Sequence, residues 1–204
     1  SRAHGSKIAF QDYVDDVIAW LDHVSFSQPI GVGHSLGAKI LAAVDVQASG
    51  RIASRILIDP PMSGPGRRPY PYALSFYADQ KALSVSDNAA AELARQLPQW
   101  SEDRIAERVR WLPTCSDEAI AASLQAFNSL DPVPPLVCCS NPKVLIYGGD
   151  SHVFTKADRA ELESVDASFE FKKIDGAGHL VPWDQPERLG EFIAQYIRSF
   201  EKQS

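Results

Sequence analysis

The chain is short of cysteine, of positive charge and of long hydrophobic runs, and each shortage excludes something. Only three cysteines occur in 204 residues: Cys115, Cys138 and Cys139. An odd count with two adjacent members makes a poor disulfide framework and implies a reducing, cytoplasmic setting. Lys and Arg number 20 against 26 Asp and Glu, giving a net charge of −6, with a pI of about 5.3. That balance argues against nucleic acid and against anionic membrane as partners. The charges are scattered, as on an ordinary solvated surface. No apolar run is long enough to span a bilayer, and no signal peptide is legible at the N-terminus. None of the five histidines has a spacing such as H-x-x-x-H, so the sequence proposes no metal and no cofactor. Internal repeats and low-complexity tracts do not occur.

What is present suits one domain with a sizeable core and a small inserted lobe, since 45% of the residues are hydrophobic. The spacing predicts an amphipathic helix over 7–24, with Phe10, Val14, Val17 and Leu21 on one side. Pro29-Ile30-Gly31-Val32-Gly33 reads as a short buried strand, and 36–44 as a packed helix. Residues 55–59 form a second apolar strand that breaks at Asp59-Pro60-Pro61. A third strand, 143–147, stops at Gly148-Gly149, and a fourth covers 169–174. A last helix starts near Pro186 and carries Leu189, Phe192, Ile193, Tyr196, Ile197 and Phe200 on one side. Continuously apolar strands that alternate with helices predict a mostly parallel sheet covered on both faces, an α/β fold. Between the second and third strands no convincing strand occurs. Helix starts stand at Ser101-Glu102-Asp103 and at Ser116-Asp117-Glu118. The expected division is therefore a core of 1–63 and 141–204 with a helical cap at 64–140 over the strand ends.

Gly33-His34-Ser35-Leu36-Gly37 fits G-x-S-x-G directly after a strand and directly before a helix. That context is what a nucleophile elbow requires: the serine sits in a strained turn with its hydroxyl above the sheet. The flanking glycines are expected to lack bulk so that the backbone can pass, and the Leu36 N–H is a candidate oxyanion donor. A serine hydroxyl is a weak nucleophile and needs a base. His179, in Gly176-Ala177-Gly178-His179 after the last strand, lies at the same carboxyl edge as Ser35 and is the candidate. The remaining histidines are His4, His23, His34 and His152. An acid must hold the imidazole tautomer. Asp59, Asp150 and Asp175 all stand in the order Ser, acid, His, and Asp175 is placed least well, four residues before His179.

With these residues in place the pattern resembles the α/β-hydrolase superfamily over essentially the whole chain outside the cap. In that fold Arg2-Ala3-His4-Gly5-Ser6 resembles the R-G-H-G-x-S segment after the fourth strand. The resemblance implies that four earlier strands, about 60 residues at ordinary lengths, and a second oxyanion donor are missing upstream. The superfamily's common acid position falls on Ser151 of Gly148-Gly149-Asp150-Ser151, which leaves Asp150 one residue early. Ile58-Asp59-Pro60-Pro61-Met62-Ser63-Gly64-Pro65-Gly66-Arg67-Arg68-Pro69-Tyr70-Pro71 is similar to a segment of N-formylmaleamate deacylases of nicotinate catabolism. That resemblance implies an acid at Asp59, with Asp150 the alternative. It further implies a Ser-His-Asp amidase that releases formate from a small carboxylate-bearing half-amide. The substrate's carboxylate needs cations or donors, for which Arg67, Arg68, Tyr70 and Tyr72 at the cap entrance are the candidates. An esterase or enol-lactonase with the same triad, an inactive chain, and a ligand receptor with little turnover remain open alternatives. Oligomeric state is not legible.

Overall fold

A computed structural model of the chain describes residues 8–24, 26–138 and 142–202. Arg2-Ala3-His4-Gly5-Ser6, Lys7, Cys139 and the expected boundary at 140/141 lie outside them. Helix α1 (Phe10–His23) buries Val14 and Leu21. Then follow β1 (Ile30–His34), α2 (Leu36–Gln47) and β2 (Ser54–Ile58). After a long helical stretch come β3 (Lys143–Gly148) and β4 (Glu170–Ile174). The four strands make one parallel sheet in the order β1-β2-β3-β4. In-phase register sets His34 beside Ile58, Ile58 beside Ile146, and Gly148 beside Ile174. All four carboxyl ends therefore open onto one edge, where ligands gather in such sheets.

The strands alternate between two cores, as a pleat with period two requires. Leu57, Leu145 and Tyr147 point to one face, where Ala38 and Ala42 of α2 cover them. Ile56, Ile58, Val144 and Ile146 point to the other, under Val181 and Leu189. Those two belong to α9 (Val181–Asp184) and α10 (Pro186–Glu201). Arg55 in β2 is fully buried on the α2 side of the sheet, and its Nε lies 3.1 Å from the Asp45 carboxylate of α2, also fully buried.

Between β2 and β3 run α3 (Leu74–Ser84), α4 (Ala89–Gln96), α5 (Glu102–Trp111), α6 (Asp117–Ser129) and α7 (Val133–Val137). Ser101 and Ser116 cap α5 and α6 by accepting the N–H groups of Arg104 and Ala119. The sequence did not single out α3, α4 or α7, nor α8 (Lys156–Val165) between β3 and β4. One boundary differs from expectation. Leu136 of α7 is buried with Leu57, Leu145 and Leu162, so α7 packs in the layer of α2 and α8 against the sheet, although it lies within 64–140. Among the described residues no helix is long and apolar enough to cross a membrane.

Candidate active site

Ser35 stands between the last residue of β1 and the first of α2, at φ 54° and ψ −118°. A non-glycine residue held there costs on the order of 1–3 kcal/mol and persists only when its surroundings fix it. Two contacts fix it. The Ser35 N–H donates to the Ile58 carbonyl at 2.8 Å. Gly33 lies against the start of α2 so closely that a Cβ there would sit 2.5 Å from the Gly37 carbonyl oxygen. The expectation that both flanking glycines must lack bulk holds for Gly33 alone, because a Cβ on Gly37 meets no heavy atom within 4 Å. Leu36 opens α2, so its N–H belongs to the first turn, whose donors have no intrahelical acceptor.

The loop after β4 brings His179 over the same edge. Its Nε2 lies 3.0 Å from Ser35 Oγ, and its Nδ1 lies 2.7 Å from Asp59 Oδ2. A carboxylate only accepts, so Nδ1–H donates to Asp59 and Nε2 is left to accept the serine hydroxyl. Asp59 is fully buried and follows β2 at φ 46°. Its Oδ1 accepts the Gly148 N–H at 3.0 Å, and its Oδ2 also accepts the Ser151 hydroxyl at 2.6 Å. Ser151, in the position where the superfamily commonly carries its acid, thus holds an acid that arrives from the neighbouring strand. Asp150 is exposed, and its N–H donates to the Ala177 carbonyl. Asp175, at the end of β4, pairs with Lys173.

Two further groups set the pose of His179. The His34 Nε2–H donates to the His179 carbonyl at 2.8 Å, with the two rings 5.0 Å apart. Burial, and then the neighbouring His179, push the His34 imidazole down to about 4, so it is neutral at pH 7. Asp184 accepts the Gly178 N–H with one oxygen and, with the other, the indole N–H of Trp100 and the amide of Gln99. It therefore ties the His179 loop to the chain between α4 and α5. Gly148 packs under that loop, where a Cβ would lie 2.1 Å from the Gly178 carbonyl oxygen.

A cavity of about 1010 Å³ opens above Ser35 and His179. Tyr70 and Tyr72, both expected at the site, line it. Arg67 and Arg68 do not. Arg67 forms a two-pronged pair with Glu161 and donates to the Met62 carbonyl; Arg68 turns to Asp158 and the carbonyls of His152 and Val153. The carboxylates of α8 pair with both guanidiniums, so neither arginine stands on the cavity wall where the sequence predicts a substrate contact. Burial raises the Tyr70 phenol far above its usual range, so it stays protonated and shares a hydrogen bond with Tyr77, 3.2 Å away. Among the described residues the Lys and Arg side chains that line the cavity are Lys81 and Arg108. The sequence motifs do not single out Arg108, although it falls three residues after Ile105, on the same inward stripe as Val109 and Leu112.

Residues 1–192 match the model of the alpha/beta hydrolase family. The chain is 31% identical over 191 residues to the N-formylmaleamate deformylase of Pseudomonas putida KT2440, covering 91% of this chain and 70% of that protein. Among solved structures it is similar to an N-formylmaleamic acid deformylase from a second Pseudomonas putida strain. There the identity is 30%, the TM-score 0.81, and the coverage 91% of this chain and 73% of that one. A thermophilic esterase from Thermogutta terrifontis, with malate bound, shares the fold at 19% identity and TM-score 0.69, covering 98% and 75% of the two chains. With the family match running along nearly its whole length, this chain is a hydrolase of the alpha/beta hydrolase family.

Proposed function

We propose that the chain cleaves a small N-formyl amide bearing a carboxylate, with N-formylmaleamate the best candidate, by acyl transfer through Ser35, His179 and Asp59. The observation that carries this reading is the unbroken chain of hydrogen bonds at the cavity floor, Ser35 Oγ to His179 Nε2 at 3.0 Å and His179 Nδ1 to Asp59 Oδ2 at 2.7 Å. Likeness to the Pseudomonas putida deformylases supports the substrate class.

In this mechanism Ser35 Oγ attacks the formyl carbon while His179 Nε2 takes the hydroxyl proton. Asp59 keeps the Nδ1–H tautomer and stabilises the imidazolium. Negative charge on the formyl oxygen meets the Leu36 N–H at the N-terminus of α2. The carbon–nitrogen bond then breaks, His179 returns the proton to the departing amide nitrogen, and maleamate leaves. Water, deprotonated by His179, attacks the formyl ester on Ser35 and releases formate. Helices α3 to α6 act as the cap that roofs the cavity. Cys115, an exposed thiol on that cap, suits the reducing cytoplasm in which such chemistry would run.

Product analysis with N-formylmaleamate, maleamate and p-nitrophenyl esters tests the reading. Formate and maleamate should appear in equal amounts, with kcat/KM above that of neutral esters of similar size. Neutral esters winning by about tenfold or more, a difference of about 1.4 kcal/mol in the barrier, would replace the amidase by an esterase.

A further inference from the structure

The cavity holds a cation that the mechanism above leaves unused and that no carboxylate neutralises among the described residues. Among the described residues, and leaving the histidines aside, the charged side chains that line it are Lys81, Arg108, Asp150 and Asp184. Lys81 donates to Asp117 and to the Cys115 carbonyl. Asp184 is saturated by Trp100, Gln99 and Gly178. Asp150 is an exposed carboxylate at the mouth. Arg108 differs from these three. Its Nε is buried and has no hydrogen-bond partner, and no carboxylate pairs with its guanidinium among the described residues. The other arginines of α5 are placed otherwise: Arg104 reaches Glu187 and the Trp183 carbonyl, and Arg110 reaches Glu107.

A half-buried guanidinium without a counter-ion is a costly thing to keep. Burial pulls Arg108 below the usual arginine range, the sign of a cation lacking compensation. What holds it is the Trp100 ring, with the guanidinium carbon 5.7 Å from the centroid. The titratable groups that act on it are the Cys115 thiol and the Tyr77 phenol. Gln80 and Gln96 line the same cavity, and the Gln80 amide donates to Gln96. A fixed planar cation set among neutral donors on the wall of a cavity whose floor carries Ser35 has the geometry for two-point capture of a carboxylate.

We infer that Arg108 is the substrate-anion receptor of this cavity: it pairs with the carboxylate of the bound half-amide while the formyl end lies at Ser35. The inference deepens the deformylase reading and takes from it the orientation of the substrate, but anion capture itself does not require turnover. Arg67 and Arg68 are already paired with Glu161 and Asp158 of α8, which leaves Arg108 as the arginine on the cavity wall among the described residues.

Calorimetric titration of maleate, a small dicarboxylate, into the parent protein and into Arg108→Met and Arg108→Lys tests it directly. The Met variant keeps an unbranched apolar stem for packing on Trp100, and the Lys variant keeps the charge. Maleate should bind the parent. Affinity should fall about 10- to 100-fold in Arg108→Met, the usual weight of a charge-assisted hydrogen bond, and by less in Arg108→Lys. The KM for N-formylmaleamate should rise by a similar factor in Arg108→Met, with a smaller effect on kcat. No binding of maleate to the parent, or equal binding to the parent and to a folded Arg108→Met, overturns the inference. The two readings fail separately. If N-formylmaleamate is not hydrolysed but maleate binding depends on Arg108, the substrate is wrong and the anion site stands. If it is hydrolysed with a KM indifferent to Arg108, the anion site is wrong and the deformylase reading stands.

Discussion

Asp59 and Asp150 both sit at strand ends beside the loop of His179, yet only Asp59 turns its carboxylate inward. The difference lies in the positive φ of Asp59, which bends the chain at the end of β2, and in the two donors from β3 that meet its oxygens. Asp59→Asn should lower kcat by about three to four orders of magnitude, as expected when the imidazole tautomer is wrong. Asp150→Asn should stay within about tenfold of the parent if that residue only shapes the turn. Kinetics of both variants on one substrate checks the pair, and the opposite ranking would reassign the acid. His34 yields a second expectation. An unfolded histidine titrates near 6.5, whereas folded His34 titrates at about 4. Between those values the unfolded chain binds more protons, so stability falls as pH drops from 6.5 to 4 and levels off below. This one group accounts for a loss on the order of 3 kcal/mol. His34→Gln should remove that increment, which urea unfolding at pH 7 and pH 4 would measure; identical pH slopes in the two proteins would contradict it. Ser35 and His179 were legible because motif and strand order together place them. Chain spacing left Asp59 as one of several strand-end acids, because it does not say which carboxylate points inward; the resemblance of the 58–71 segment was what singled it out over Asp150. Arg108 was not singled out as a site residue: its place on the Ile105, Val109 and Leu112 stripe gives it a direction, but not the absence of a counter-ion.

The elbow shows how two identical residues in one motif can carry different weight. Gly33→Ala forces a Cβ into the Gly37 backbone and should move Ser35 or unfold the turn. Gly37→Ala meets open space in a helix at a φ that alanine accepts, so it should raise stability by about 0.5–1 kcal/mol. Gly148→Ala should resemble Gly33→Ala, because it drives the Gly178 carbonyl, and with it His179, away from Ser35. Thermal melts and kcat on the three variants separate these effects; a strongly destabilised Gly37→Ala would show that the turn is tighter than described. The buried pair of Arg55 and Asp45 makes a different claim about β2 and α2. Asp45→Ala leaves a cation inside the sheet layer and should cost about 3–5 kcal/mol in denaturant unfolding. A loss below about 1 kcal/mol would show that water reaches Arg55. Strands β1 to β3 were legible because the interior of a parallel sheet demands continuous apolar runs. Helix α3 was not, because it buries Gln80 and Ser84 in place of an apolar stripe. Helix α7 was not, because Pro134 and Pro135 in its first turn read as a break.

The molecule joins a parallel sheet, which holds Ser35, Asp59 and His179 at one edge, to a group of helices that bring Arg108 and the tyrosines over them. Asp184 links the two parts: it lies beside the sheet edge, grips the His179 loop, and takes its other donors from Trp100 and Gln99 on the helical side. Trp100 is also the ring on which Arg108 rests. The wall that would receive the carboxylate and the loop that carries the base are thereby held through one tryptophan. This long-range arrangement was only partly legible in the sequence. Which loop meets which is decided by packing between segments far apart in the chain, and α8 captured the two arginines that the local sequence offered to the substrate. The central claim is that Ser35 attacks the formyl carbon, and the most direct test is the rate of formate release from N-formylmaleamate by the parent protein and by folded Ser35→Ala. Formate release should fall by at least ~1000-fold in the variant, as loss of a triad nucleophile requires. Release near the parent rate would contradict it.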